Sequence, residues 1–348
     1  MDPAGTRPRS HEVDAVRGFA LCGILIADIW QLTDMRATVA PGTVDPIRHV
    51  LSVLFEGRFF PIFSFLFGLS FSLFLDRAAE CGDRPRLILT RRLIALGVFG
   101  LIHQVFQPGE ALLPYAIVGL VVLLPAAGLP RWVILLAGLI TTIGVPVTIG
   151  GGLGLVPGLF LLGLAADRFG LVDDLRYYGW WIAVVLVLAV PAALAAGVWE
   201  YRTPYVDLWT GSAAPVAGLL GALAYLTGFL LFLRTDSGAV FAEVLEPMGR
   251  MALTNYVSAT GLILAADSWL GLSDSNRYDA LLGSATGIIA VQALWSFYWM
   301  RWFRYGPLEW VWRCVTWWQL VPNPRAGDES ERIHQVRSAT TWRRRPRT

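Results

Sequence analysis

His103 and Glu110 lie seven positions apart, joined through Gln107-Pro108-Gly109, a turn able to fold the carboxylate back toward the imidazole. An imidazole oriented by a carboxylate is what a general base requires, because histidine titrates close to neutral pH. A histidine among apolar residues can also do no more than hydrogen-bond a neighbouring helix. Arg17, Arg91 and Arg92 supply a second chemistry, since the forked guanidinium donors match phosphate oxygens. Arg17 also follows Asp14 by three positions, which suits a local ion pair. Asp28 lies eleven residues beyond Arg17, about 16 Å further along a helix, where a carboxylate must face a cavity, a proton or a partner such as Arg58. Glu56 and Arg58 precede the phenylalanine-rich run Phe59–Gly68, in which Pro61 fits the first helical turn. They are candidates to line a cavity at the outer interface. Asn255 beside Thr254 offers hydrogen bonds across helices and is a further cavity candidate. Glu309 and Arg313, four apart, are expected to pair along one helix.

These groups need elements that place them inside a membrane. Ten apolar stretches run roughly over 14–33, 59–76, 91–107, 111–128, 131–149, 153–169, 179–199, 213–233, 248–268 and 281–303. A helix covers the hydrocarbon core with about 20 mostly apolar residues. Trp180–Trp199 carries no charge at all; 153–169 is short and rich in glycine. The predicted fold is an all-α, polytopic membrane helix bundle of about ten transmembrane helices. The chain has no lysine, and its 28 basic residues are all arginine. On a ten-helix count, 23 arginines fall on one side and five (Arg36, Arg48, Arg58, Arg202 and Arg277) on the other. The positive-inside rule puts the rich side, and with it both termini, in the cytoplasm, with the plasma (inner) membrane as the location.

At 348 residues, 55% hydrophobic content and a mean hydropathy of +0.55, the chain reads as one bundle. Residues 1–13 form a cytoplasmic N-terminal segment, 14–318 the transmembrane domain and 319–348 a disordered basic tail that can touch anionic lipid. The polar start followed by a full-length apolar run predicts no cleavable signal peptide. Three scattered cysteines and four scattered histidines predict neither a disulfide framework nor a metal site. The run Gly150-Gly151-Gly152-Leu153-Gly154 follows no strand and reads as a flexible connection. No nucleic-acid module and no bound cofactor are expected.

Several pieces together resemble the YeiB-like family of bacterial multi-pass proteins, also called domain of unknown function 418. They are Glu12-Val13-Asp14-Ala15-Val16-Arg17-Gly18-Phe19-Ala20, Phe55 to Gly68, Gly100-Leu101-Ile102-His103, Gly109-Glu110, Pro114-Tyr115-Ala116, Gly249 to Tyr256 and Gly306 to Arg313. Two positions depart from the family pattern: Asp28 stands where asparagine is usual, and Glu110 where aspartate is usual. The family is distantly similar to transmembrane acyltransferases of the heparan-α-glucosaminide N-acetyltransferase type. These share an Asp-x-x-Arg-Gly element and a membrane-embedded histidine. The resemblance implies a donor side at Arg17 and an acceptor side at His103 and Glu110, as base and orienter.

The resulting expectation is an acyltransferase-like membrane protein that moves an acyl group from a cytosolic acyl-CoA-type donor, its co-substrate, to an extracytoplasmic or lipid-linked acceptor. Two others use the same residues. A proton-coupled transporter of small solutes would run through Asp28, His103 and Glu110. A non-catalytic accessory protein would use them only for stability.

Overall fold

Within lipid, backbone N–H and C=O groups must be satisfied inside their own segment, so long apolar stretches fold as helices. The computed structural model describes residues 11–36, 38–40, 43–81, 84–148, 152–172, 175, 177–204, 211–273 and 275–325. The polar N-terminus through Ser10, Gly150 and Gly151 of the glycine run, Arg176 and the tail beyond Arg325 lie outside them. Thirteen helices follow in order among the described residues. They are α1 (His11–Leu32), α2 (Pro46–Phe55), α3 (Phe59–Cys81), α4 (Pro85–His103), α5 (Leu112–Ala126), α6 (Arg131–Thr148) and α7 (Val156–Arg168). Then come α8 (Gly179–Arg202), α9 (Ala213–Phe232), α10 (Asp236–Arg250), α11 (Ala252–Leu270), α12 (Tyr278–Trp302) and α13 (Pro307–Trp317). Between α1 and α2, strands β1 (Thr38–Ala40) and β2 (Thr43–Val44) make a small antiparallel hairpin.

Each of the ten apolar stretches falls on a helix. The remaining three, α2, α10 and α13, are short and amphipathic. Side chains cap the first two: Asp45 accepts from the amides of Ile47 and Arg48 ahead of α2, and Thr235 from that of Gly238 ahead of α10. Helix α5 widens into a π turn at Gly119–Leu123 just before Pro125, which has no N–H to give its own turn. Four helical stretches are long and apolar enough to cross a bilayer by length and composition: Pro46–Glu80, Gly179–Arg202, Ala213–Phe232 and Tyr278–Trp302.

Helices α1 and α3 form the hub. Helix α1 packs on α3, α10, α11 and α12, while α3 packs on α4, α7 and α9. Small residues permit the closest crossings. A Cβ on Gly68 would strike the carbonyl of Phe160, and one on Gly163 that of Phe65, so α3 and α7 meet backbone to backbone. Helix α8 is peripheral and leans mainly on α9. Its Val187, Leu188 and Leu194 are exposed, as are Ile94, Val98, Leu101 and Ile102 on α4 and Val291, Leu294 and Trp295 on α12. An apolar coat of that extent does not face water. The chain is a membrane-embedded helical protein.

The last described segment stays on the bundle. Arg304 N donates to Asn323 O (2.8 Å), and the Trp310 indole N–H to Val321 O (2.7 Å). Residues 319–325, expected at the start of the tail, are thus held in place.

Candidate functional site

Two cavities open toward opposite ends of the bundle. The first, of about 590 Å³, is bounded by the second half of α1, the turn before α3, the start of α5, the end of α8 and the start of α9. Gly57, at φ +75°, lets the chain double back between α2 and α3. That turn sets Glu56 on the cavity wall and tucks Arg58 behind it, where its guanidinium pairs with Glu200 and donates to Glu56 O (2.6 Å). Both members of the pair are only 3% exposed. Glu56 Oε2 accepts from Arg48 (3.3 Å) and from Ser52 Oγ (2.7 Å). Asp28 lies on the same wall.

His103 ends α4 one short turn from α5. Gly109, at φ +83°, closes that turn. Glu110 then caps α5, accepting from the amides of Leu112 and Leu113 (2.7 Å each), and its Oε2 lies 3.8 Å from His103 Nδ1. The other imidazole nitrogen, Nε2, is 2.9 Å from Thr260 Oγ1 on α11. Thr260 donates to Gln107 Oε1 (2.6 Å), and Gln107 Nε2 donates to Asp28 Oδ2 (3.0 Å). Because the single hydroxyl hydrogen of Thr260 goes to Gln107, the imidazole must donate from Nε2. The chain of bonds therefore has one direction, from His103 to Asp28. The Tyr256 ring packs edge-on against the imidazole, with centroids 5.2 Å apart.

This geometry revises the expected division of labour. His103 and Glu110 are buried behind the cavity wall, and Asp28, Gln107 and Tyr256 form its surface. The carboxylate of Asp28, not the imidazole, meets whatever occupies the cavity. Asn255 also departs from expectation. Its side chain donates to Met248 O (3.1 Å) and Ser296 Oγ (2.9 Å), so it ties α11 to α12 and lines neither cavity.

The second cavity, of about 210 Å³, lies at the arginine-rich end, lined by Arg17, Arg92, Arg250 and Arg313. Arg17 bonds Asp14 (2.6 Å), as its spacing foretold, and also Ser70 Oγ (2.8 Å). Arg92 sits 3.6 Å over the Trp312 ring and 4.4 Å over that of Phe74. Arg91 instead turns to Trp318 (5.5 Å) and is not on this wall. Glu309 crosses to α11 and accepts from the Leu253 and Thr254 amides (2.7 and 3.0 Å), capping that helix from outside it. Glu309→Ala should therefore lower stability by about 1–2 kcal/mol, the usual worth of a lost cap, read as a lower thermal midpoint in detergent. An unchanged midpoint would show that the cap contributes nothing.

Phe63, Leu112, Tyr115 and Tyr256 line both cavities and so form the wall between them. The Tyr115 hydroxyl lies 2.5 Å from Ser64 Oγ, and the Tyr256 hydroxyl accepts from the Ala111 amide (3.2 Å). Sequence reasoning passed over Glu200, Gln107, Thr260 and this role of the two tyrosines. Glu200 had a signal available, a carboxylate closing an otherwise chargeless apolar run.

The family model for proteins of unknown function DUF418 matches residues 166–319. The chain is 33% identical over 341 residues to an uncharacterized 39.9 kDa protein from the amylase 3′ region of Bacillus acidopullulyticus, covering 92% of this chain and 98% of that protein. It is 26% identical over 379 residues to the uncharacterized protein YeiB of Escherichia coli K12, covering 88% and 96% of the two chains. With the uncharacterized protein YxaH of Bacillus subtilis 168 it shares 23% identity over 393 residues, covering 92% and 98%.

Proposed function

The chain belongs to the DUF418, YeiB-like family, and from that premise we propose that it transfers an acyl group through the membrane, from a cytosolic acyl-CoA-type donor to an extracytoplasmic or lipid-linked acceptor. In this reading the ten apolar helices cross the plasma membrane, with the arginine-rich end and both termini in the cytoplasm. The observation that carries the reading is the shared wall: Phe63, Leu112, Tyr115 and Tyr256 separate an arginine-lined cavity from a carboxylate-bearing one.

Arg17, Arg92, Arg250 and Arg313 would hold donor phosphates. At about 210 Å³ their cavity takes a phosphate and part of an arm, not a whole nucleotide. The thioester would reach the tyrosine wall. There the acceptor X–H gives its proton to Asp28, X attacks the carbonyl carbon, the C–S bond breaks, and the proton passes on to the departing thiolate, which leaves as thiol. Tyr256 is placed to donate to the carbonyl oxygen as charge builds on it. His103 and Glu110 would fix the orientation of Asp28 through Thr260 and Gln107. They act as positioning residues.

Thiol release from acyl-CoA by the protein in nanodiscs tests this. Arg92→Gln should raise KM for acyl-CoA by about 10- to 100-fold, the worth of one charge-assisted hydrogen bond, with little change in kcat. No binding and no thiol release would overturn the donor assignment. Opposed cavities with a thin wall also suit alternating access. Solute uptake driven by a pH gradient, abolished by Asp28→Asn and without thiol release, would replace transfer by transport. If these substitutions alter stability alone, the accessory reading stands.

A further inference from the structure

Among the described residues the outer cavity has one sign of charge: its charged lining is Asp28, Glu56 and Glu200, with no arginine or histidine. The compensating guanidinium groups of Arg48 and Arg58 stand behind the wall, with side chains only 5% and 4% exposed. Asp28, by contrast, accepts from a neutral amide. Glu56 Oε1, on the same wall, is buried without a hydrogen-bond partner among the described residues. The rest of the lining is largely apolar, with Phe55, Phe59, Phe60 and Tyr256 among it. Carboxylates in a largely apolar pocket edged by aromatic rings make an environment in which ammonium is favoured and anions are repelled.

We infer that this cavity binds an amphiphile with an ammonium head, the head beside Asp28 and Glu56 and the apolar tail along the phenylalanines. The binding claim stands on the cavity alone. Naming this ligand as the acyl acceptor rests on the transfer reading above. As an acceptor, an alkylammonium ion would give one proton to Asp28 and attack the thioester as the free amine. Its second N–H proton would leave with the thiolate, giving amide and thiol.

Calorimetric titration of n-octylammonium, octanol and octanoate into the protein in zwitterionic nanodiscs tests the inference. Octylammonium should bind about tenfold or more tighter than octanol, and octanoate should not bind. Asp28→Asn, which keeps the shape and the Gln107 contact, should lose about that factor. Glu56→Gln should weaken the same probe, while Arg91→Gln at the far end should leave it unchanged. Equal binding of octanol and octylammonium, or full binding by Asp28→Asn, would overturn the site whatever turnover shows. Failure of thiol release with ammonium binding intact would remove the transfer reading and uphold the site.

Discussion

Arg58→Met is expected to lower stability by about 3–5 kcal/mol, the cost of leaving one partner of a buried ion pair uncompensated. Arg58, in the turn before α3, and Glu200, on α8, are each 3% exposed, and the same guanidinium also satisfies Glu56 O. Its loss strands the Glu200 carboxylate between apolar helices, next to Glu56. Adding Glu200→Leu should recover most of the loss, because replacing both charges removes the desolvation penalty along with the attraction. Thermal or denaturant unfolding in detergent reads both variants. If the single and double variants are equally stable, the pair does not hold α8 to the bundle.

The second large effect is on catalysis. His103→Ala should reduce kcat for thiol release by about 10²- to 10⁴-fold, the range for disabling acid–base assistance, with KM for acyl-CoA nearly unchanged. In the proposed reaction the separation arises because the imidazole serves the cavity lined by Asp28, while the arginine-lined cavity lies beyond the tyrosine wall. Without Nε2, Thr260 loses the donor that sets its rotamer, Gln107 is free to turn, and Asp28 loses its orientation. Thr260→Val breaks the same chain one link later and should give a loss in the same direction. Full activity in both variants would take the relay out of the mechanism.

The ten apolar helices were readable because each stretch must close its own hydrogen bonds, and the return of Glu110 to His103 followed from a turn too short to do otherwise. Helices α2, α10 and α13 were not, because amphipathic segments at the ends of a bundle leave no long apolar run. The contacts that make the site are remote in sequence: Gln107 meets Asp28 across 79 positions, and Thr260 meets His103 across 157. Helix packing decides them. Arg91 and Arg92 show the same limit. They are adjacent and alike in type, yet one enters the cavity and the other turns to Trp318. Asn255 and Thr254 make the bonds across helices that their types suggest, to α12 and α13, but packing leaves Asn255 out of the cavity lining expected of it.

The most direct test of the central claim, that two cavities exchange a group across one aromatic wall, is a sided transfer assay in proteoliposomes of a single orientation. Acyl-CoA is supplied to one face and octylamine to the other, and the amide is measured on each side. The account predicts amide only when acyl-CoA meets the arginine-rich face, with the product in the opposite compartment. Amide formed equally from either face, or only on the side of the donor, would contradict it.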